Sequence, residues 1–114
     1  MFNDITLVVN LASDPERVSL KNGKSYVKCP GINNTSFKDS TGKKFDEPLY
    51  IPLHFYGVIG DIAFEDLLKG DKVLIKGTLK MLKKEEKGNF KRYYYIAVQH
   101  FEILKPKEEE VNEI

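Results

Sequence analysis

Residues 49–83 read LYIPLHFYGVIGDIAFEDLLKGDKVLIKGTLKMLK, and the changes of period within them decide the fold. Leu49, Ile51, Leu53 and Phe55 fall on one face of a period-two segment; Tyr50, Pro52, His54 and Tyr56 fall on the other. That alternation predicts a strand with the first set in the core. Pro52 has no N–H to give to a ladder, so one side of this strand should be locally unpaired or bulged. From residue 58 to 69 the period becomes helical, with Val58, Ile59, Ile62, Ala63, Asp66 and Leu67 recurring on one side. Gly70, after Lys69, stands as the C-cap. From 72 to 83 the period returns to two: Val73, Ile75, Leu79 and Met81 inward, Lys72, Leu74, Lys76, Thr78, Lys80 and Leu82 outward. One short helix is thus enclosed by strands.

Working outward, residues 5–11 (ITLVVNL) are rich in β-branched residues and read as a first strand, ended by the turn Asp14-Pro15-Glu16. Segments 17–20 and 24–29 flank Lys21-Asn22-Gly23, a hairpin signal because Asn and Gly tolerate positive φ. Residues 38–46 (KDSTGKKFD) read as an exposed loop, and 83–89 as a charged hairpin loop. Residues 91–104 form a last long strand, bent or bulged near Gln99. These add to about five strands and one helix between the third and fourth. The fold class is all-β: a five-stranded, partly open Greek-key barrel over residues 1–104, with the helix plugging one end. The tail 105–114 (KPKEEEVNEI) is charged and predicted to be disordered. A doubly wound α/β fold is excluded, since its crossovers need several helices.

The 114 residues allow one domain, and 41% apolar content supplies a core. The single Cys29 cannot close an internal disulfide. The start, MFNDITLVVN, lacks a basic region followed by a long apolar stretch, so no secretory leader is expected. No apolar run reaches the roughly 20 residues that span a bilayer, so no membrane association is expected and a cytoplasmic location is. Enzyme chemistry finds no motif. His54 and His100 have no recognisable nucleophile, one Cys and two His make no zinc ligand set, and no phosphate-cradling Gly-rich loop is present. No cofactor or metal is expected.

Charge is more informative. Residues 69–92 hold nine bases and three acids, a local +6 on a chain of net charge +1, while 105–114 carry a net −2. Lysines on an outward strand face also keep a sheet soluble and discourage edge pairing, so Lys72, Lys76 and Lys80 alone do not decide the matter. The aromatics shift the balance. Tyr50 and Tyr56, with His54 between them, lie opposite the apolar face of their strand, Phe37 lies at a strand–loop junction and Phe90 in a hairpin loop. Cations beside rings on a curved sheet suit single-stranded nucleic acid: Lys72, Lys76, Lys80, Lys84, Lys91 and Arg92 for phosphates, Phe37, Tyr50, Tyr56 and Phe90 for bases. Tyr93, Tyr94 and Tyr95 are consecutive, so they use both faces, and some are expected in the core or a subunit interface.

The order of segments resembles the bacterial and phage single-stranded DNA-binding proteins of the SSB family, which have the OB-fold. The resemblance runs over residues 3–104. It rests on Asn10-Leu11, Asp14-Pro15-Glu16, Asn22-Gly23, Phe55-Tyr56-Gly57, Ile62-Ala63 and the run Leu68-Lys69-Gly70-Asp71-Lys72-Val73-Leu74-Ile75-Lys76-Gly77-Thr78-Leu79. It implies sequence-independent binding of single-stranded DNA in replication, recombination and repair, without catalysis, by a homotetramer (a dimer being the alternative) that also meets replication and recombination proteins. By the same resemblance Phe37 and Tyr50 stand where the family has stacking Trp, and Tyr56 where it has Phe. Lys84 stands at a third Trp position and Pro52 at a usually basic one; both depart from the pattern. VVNLA around Asn10 lacks the usual flanking glycines, and the chain stops at EEEVNEI in place of a long tail ending in Pro-Phe. An OB-fold assembly protein of the primosome type and an RNA-binding OB-fold remain alternative readings.

Overall fold

The computed structural model describes residues 1–106. Its elements are β1 (Ile5–Leu11), β2 (Glu16–Ser19), β3 (Ser25–Lys38), β4 (Lys44–Tyr56), α1 (Gly57–Asp66), β5 (Lys72–Glu86) and β6 (Asn89–Lys105). Five strands close a barrel in the order β1-β5-β6-β4-β3, and β3 returns to β1 through Asn10–Ile32 and Leu11–Gly31. All pairs are antiparallel except β4–β6, which is parallel over Leu53–Ile96 to Phe55–Val98. β2 is a short sixth strand on the outer edge of β3. The only helix among the described residues lies between the third and fourth barrel strands, as expected.

The core is small and dense. Val9, Leu11, Val27, Cys29, Leu53, Phe55, Ala63, Leu67, Val73, Ile75, Ile96 and Val98 are each at most 5% exposed. Cys29 sits among them, and burial pushes its thiol up to about 11. Phe55 meets Phe101 edge to face at 5.7 Å. The bend expected near Gln99 is a bulge: Lys76 pairs with His100 and Gly77 with Val98, which leaves Gln99 as the extra residue. Gly77 is needed there because a β-carbon would collide with the Ala97 carbonyl.

Several expectations are corrected. α1 ends at Asp66, not Lys69. Leu67 turns extended to enter the core, and the amides that follow bond elsewhere. Leu68 donates to the Asp71 carboxylate at 2.9 Å, Lys69 to Asp14 at 2.7 Å and Gly70 to the Leu11 carbonyl at 2.8 Å. Gly70 therefore serves that loop and does not cap the helix. Leu49, Leu79 and Met81, expected inward, are 48%, 41% and 49% exposed. Their parity is that of the core, but they lie beyond the layer that the barrel covers. Segment 83–89, expected as a loop, is mostly strand, whereas 38–46 keeps its loop over 39–43 with strand on either side. β3 and β4 pair continuously from Tyr26–Tyr56 to Lys38–Lys44, and β5 and β6 pair out to Glu86–Asn89. Lys105, expected to begin the tail, ends β6. The rest of the expected tail, from residue 107, lies outside the described residues.

The result is a barrel with two arms. Because β4 and β6 run parallel, their N-terminal halves leave the same end of the barrel with their partners β3 and β5. The radius of gyration, 16.8 Å, exceeds the roughly 13 Å of a compact chain this long. The β3–β4 turn is held by Asp39, whose carboxylate accepts from the Thr41 and Lys43 amides at 2.9 and 3.0 Å. The β5–β6 turn is the pair Lys87-Gly88, both with positive φ (51° and 80°), as a two-residue hairpin of the primed type requires. Space around Gly88 is open, so Gly88→Ala should cost only backbone strain, about 1 kcal/mol, read as a lower urea midpoint at unchanged slope.

Candidate nucleic-acid interface

Alternation along β4 puts Phe55 in the core and sends Tyr56 and His54 out. On β3 the same rule buries Val27 and Cys29 and sends Tyr26 and Lys28 out. The β3–β4 register sets Tyr26 beside Tyr56 and Lys28 beside His54. The β4–β6 pairing sets His54 beside Ala97, within reach of Tyr95. Four rings therefore gather on one outer face. His54 stacks on Tyr95 at 4.1 Å between centroids and lies 4.7 Å from Tyr26; Tyr26 lies 5.3 Å from Tyr56. His54 Nδ1 and the Tyr56 hydroxyl are 3.1 Å apart.

Partial burial shapes the acidities here. Burial first, and then the Lys28 charge, hold the His54 imidazole below its ordinary value, so at neutral pH it stacks as an uncharged ring. Burial, then the Tyr95 hydroxyl, pushes the Tyr56 phenol up, so it stays a neutral donor. Beside the rings runs a shallow groove of about 230 Å³, lined by Tyr26, Lys28, Pro52, His54, Leu82, Lys84 and Tyr93 to Tyr95. Lys80 is the cross-strand neighbour of Tyr95, and Lys84 of Lys91. The Lys84 ammonium lies 5.9 Å over the Tyr93 ring. Rings flanked by cations, on a surface with one end open, can stack unpaired bases and hold the phosphates between them.

The residues singled out in the sequence divide into three groups. By parity Tyr50, His54, Tyr56, Lys80, Lys84 and Lys91 share this outer face, which we call the front. Phe37, Phe90 and Arg92 have the opposite parity on the arms and lie on the reverse face. Phe37 is the penultimate residue of β3, at the strand–loop junction as expected, and stacks on Phe45 at 5.4 Å, whereas Phe90 is in β6, not in a loop. Lys72 and Lys76 lie farther along β5, beside β1: Lys76 is opposite Thr6 and 3.7 Å from the Asp4 carboxylate, and Lys72 is opposite Asn10. Lys72 is about 26 Å along the strand from Lys80.

Tyr26, Lys28 and Tyr95 were missed. The signal for Tyr26 and Lys28 was their alternation with Val27 and Cys29; that for Tyr95 was its place one residue before the buried Ile96.

Comparison with known proteins gives a consistent picture. A model of the Single-strand binding protein family matches residues 2–104. A single-stranded DNA-binding protein of Wolinella succinogenes is 29% identical over 108 residues, covering 94% of this chain and 67% of its own length. One from Helicobacter hepaticus is 27% identical over 108 residues, covering 94% and 64%. The chain therefore spans only about two thirds of the length of these relatives. Among solved structures, the Plasmodium falciparum SSB in complex with ssDNA superposes with a TM-score of 0.82 at 20% identity, over 92% of this chain and 97% of that one. The small single-stranded DNA-binding protein of Streptomyces coelicolor superposes at 0.70 and 21% identity, over 90% and 95%. These structural likenesses establish the fold. The family match runs from before β1 through Leu104 of β6, and on it the chain belongs to the Single-strand binding protein family.

Proposed function

We propose that this protein binds single-stranded DNA without sequence preference and catalyses no reaction on it. Its place is then to protect and organise unpaired strands during replication, recombination and repair, in the cytoplasm. The carrying observation is the half-exposed cluster Tyr26–His54–Tyr95–Tyr56 with Lys28, Lys80 and Lys84 around it. Rings give stacking that every base can accept; lysines give phosphate contacts that read no sequence. Family membership supports this reading, as do the names of the relatives. We further propose a homotetramer, with a dimer as the alternative. Apolar side chains left outside support it: Val58 is 72% and Leu68 52% exposed. Among the described residues no helix is long and apolar enough to cross a membrane.

The lysines provide the test. Lys80→Ala and Lys84→Ala should each reduce the salt slope of poly-dT binding by up to about 0.7, because one single-strand phosphate contact releases about that many counterions. Lys76→Ala should change the slope less, since its ammonium already faces Asp4. Unchanged slopes for Lys80 and Lys84, or poly-U competing as well as poly-dT, would contradict the DNA reading.

A further inference from the structure

His54 occupies the middle of the front cluster, and its surroundings limit what it can offer a strand. Its strand, β4, lies between β6 and β3. Tyr95 of β6 stacks on one side of the imidazole at 4.1 Å and 21°, and Tyr26 of β3 flanks it on the other at 4.7 Å and 34°. A ring flanked in this way has little face left for a base; what it presents is its edge. Nδ1 lies 3.1 Å from the Tyr56 hydroxyl, and Nε2 has no hydrogen-bond partner among the described residues. The neutral ring has a single N–H for these two positions. The imidazolium donates at both, and a donor that carries charge holds a phosphate about twice as strongly.

The charges that face His54 are of one sign. Lys28 is its cross-strand neighbour on β3, and Lys84 of β5 lines the same groove. The other titratable side chains turned to it are phenols: Tyr26 on β3, Tyr56 on β4 itself and Tyr93 to Tyr95 on β6. No carboxylate lines the groove; Glu16 of β2 approaches Lys28 to 4.0 Å but stands outside it. Among the described residues a protonated His54 would therefore meet ring faces, which attract a cation, but no counter-ion. The groove lacks an anion, and a strand brings one.

We propose that a single strand binds with uptake of a proton by His54, whose imidazolium edge then holds a phosphate. The proposal rests on the single-strand reading given above and adds to it a coupling to pH. The phosphate favours the charged ring, and by linkage the charged ring favours the strand. Burial, and then Lys28, hold the imidazole of the free protein below its ordinary value, so the proton arrives with the phosphate. Acid then has two effects of opposite sign. A histidine with a lowered pKa contributes stability above about pH 6.5, and this is lost as pH falls through its folded value, because the unfolded chain takes the proton more readily. Strand binding gains over the same window.

The test is a titration of the full chain with oligo-dT at fixed salt from pH 8 to 5.5. Thymine and phosphodiester keep their charge across this range, so a pH effect belongs to the protein. Wild type should bind about tenfold more tightly at the acid end, the gain for a rise of one pKa unit on binding. Its salt slope should steepen there by up to about 0.7, one added phosphate contact. Calorimetry near pH 6 in two buffers of different ionisation heat should show net proton uptake on binding. H54F keeps a ring and H54Q a polar edge; whatever their affinity at pH 8, both should lose the pH dependence and the uptake. The chain has two His, and His100 pairs with Glu102 outside the groove, so H100Q should retain both effects. Retention in H100Q assigns the proton to His54 by itself, should the His54 variants fail to fold. Flat affinity and no uptake in wild type that still binds would overturn the coupling and leave the single-strand reading standing. Uptake that persists in folded H54F, or vanishes in H100Q, would also overturn it. No binding of oligo-dT at any pH would remove the single-strand reading itself.

Discussion

Phe55→Ala is expected to cost about 3–5 kcal/mol of folding stability, the range for deleting a buried aromatic side chain. Phe55 is fully buried. It is the largest core side chain, it touches Phe101 edge to face, and it is the residue by which β4 joins β6 at Val98. Truncation would leave a cavity where three strands meet, in a barrel too small to collapse around it. Chemical denaturation should show a lower midpoint, and binding by the fraction still folded should be near normal, because Phe55 has no outward surface. A loss below about 1 kcal/mol would mean that the barrel centre is not packed as described.

The next residue should behave in the opposite way. Tyr56→Ala should leave stability within about 1 kcal/mol, as surface changes do, and weaken poly-dT binding by about 1–3 kcal/mol with the salt slope nearly intact. Tyr56 is 43% exposed, and its ring meets Tyr26 and the edge of His54. Removing it takes away a stacking surface and frees His54, whose Nδ1 it faces at 3.1 Å. Tyr56→Phe keeps the ring and should bind within about twofold of wild type, since stacking is the contribution retained. If Tyr56→Phe proved as weak as Tyr56→Ala, the hydroxyl and not the ring would carry the contact.

This contrast between neighbours was legible in the sequence, because it needs only the period of a strand. So was the bulge: Val98 and Phe101 both point to the barrel, which an unbroken alternation forbids, and Gln99 absorbs the difference. The extent of the barrel was not legible. Leu49, Leu79 and Met81 keep the core parity although they are about half exposed, and parity alone does not say where the covering layer stops. The candidate site was half legible for a related reason. Tyr50 and Phe37 lie on different strands, and whether they share a face depends on a register fixed by the Asp39 turn. The observed pairing sets Ile32 opposite Tyr50 and Phe45 opposite Phe37, an odd offset that sends the two rings to opposite faces. Tyr26 and Tyr95 come beside His54 only through β3–β4 and β4–β6 pairings between segments far apart in the chain.

The central claim is that the exposed rings take unpaired bases. Intrinsic tyrosine emission reports on it directly, since the chain has six Tyr and no Trp. A titration with poly-dT and with a duplex of equal length, at one salt concentration near 0.1 M, should quench the emission with the single strand and barely change it with the duplex. Equal quenching by both, or none with poly-dT where binding is seen by an independent signal, would contradict stacking on Tyr26, Tyr56 and Tyr95.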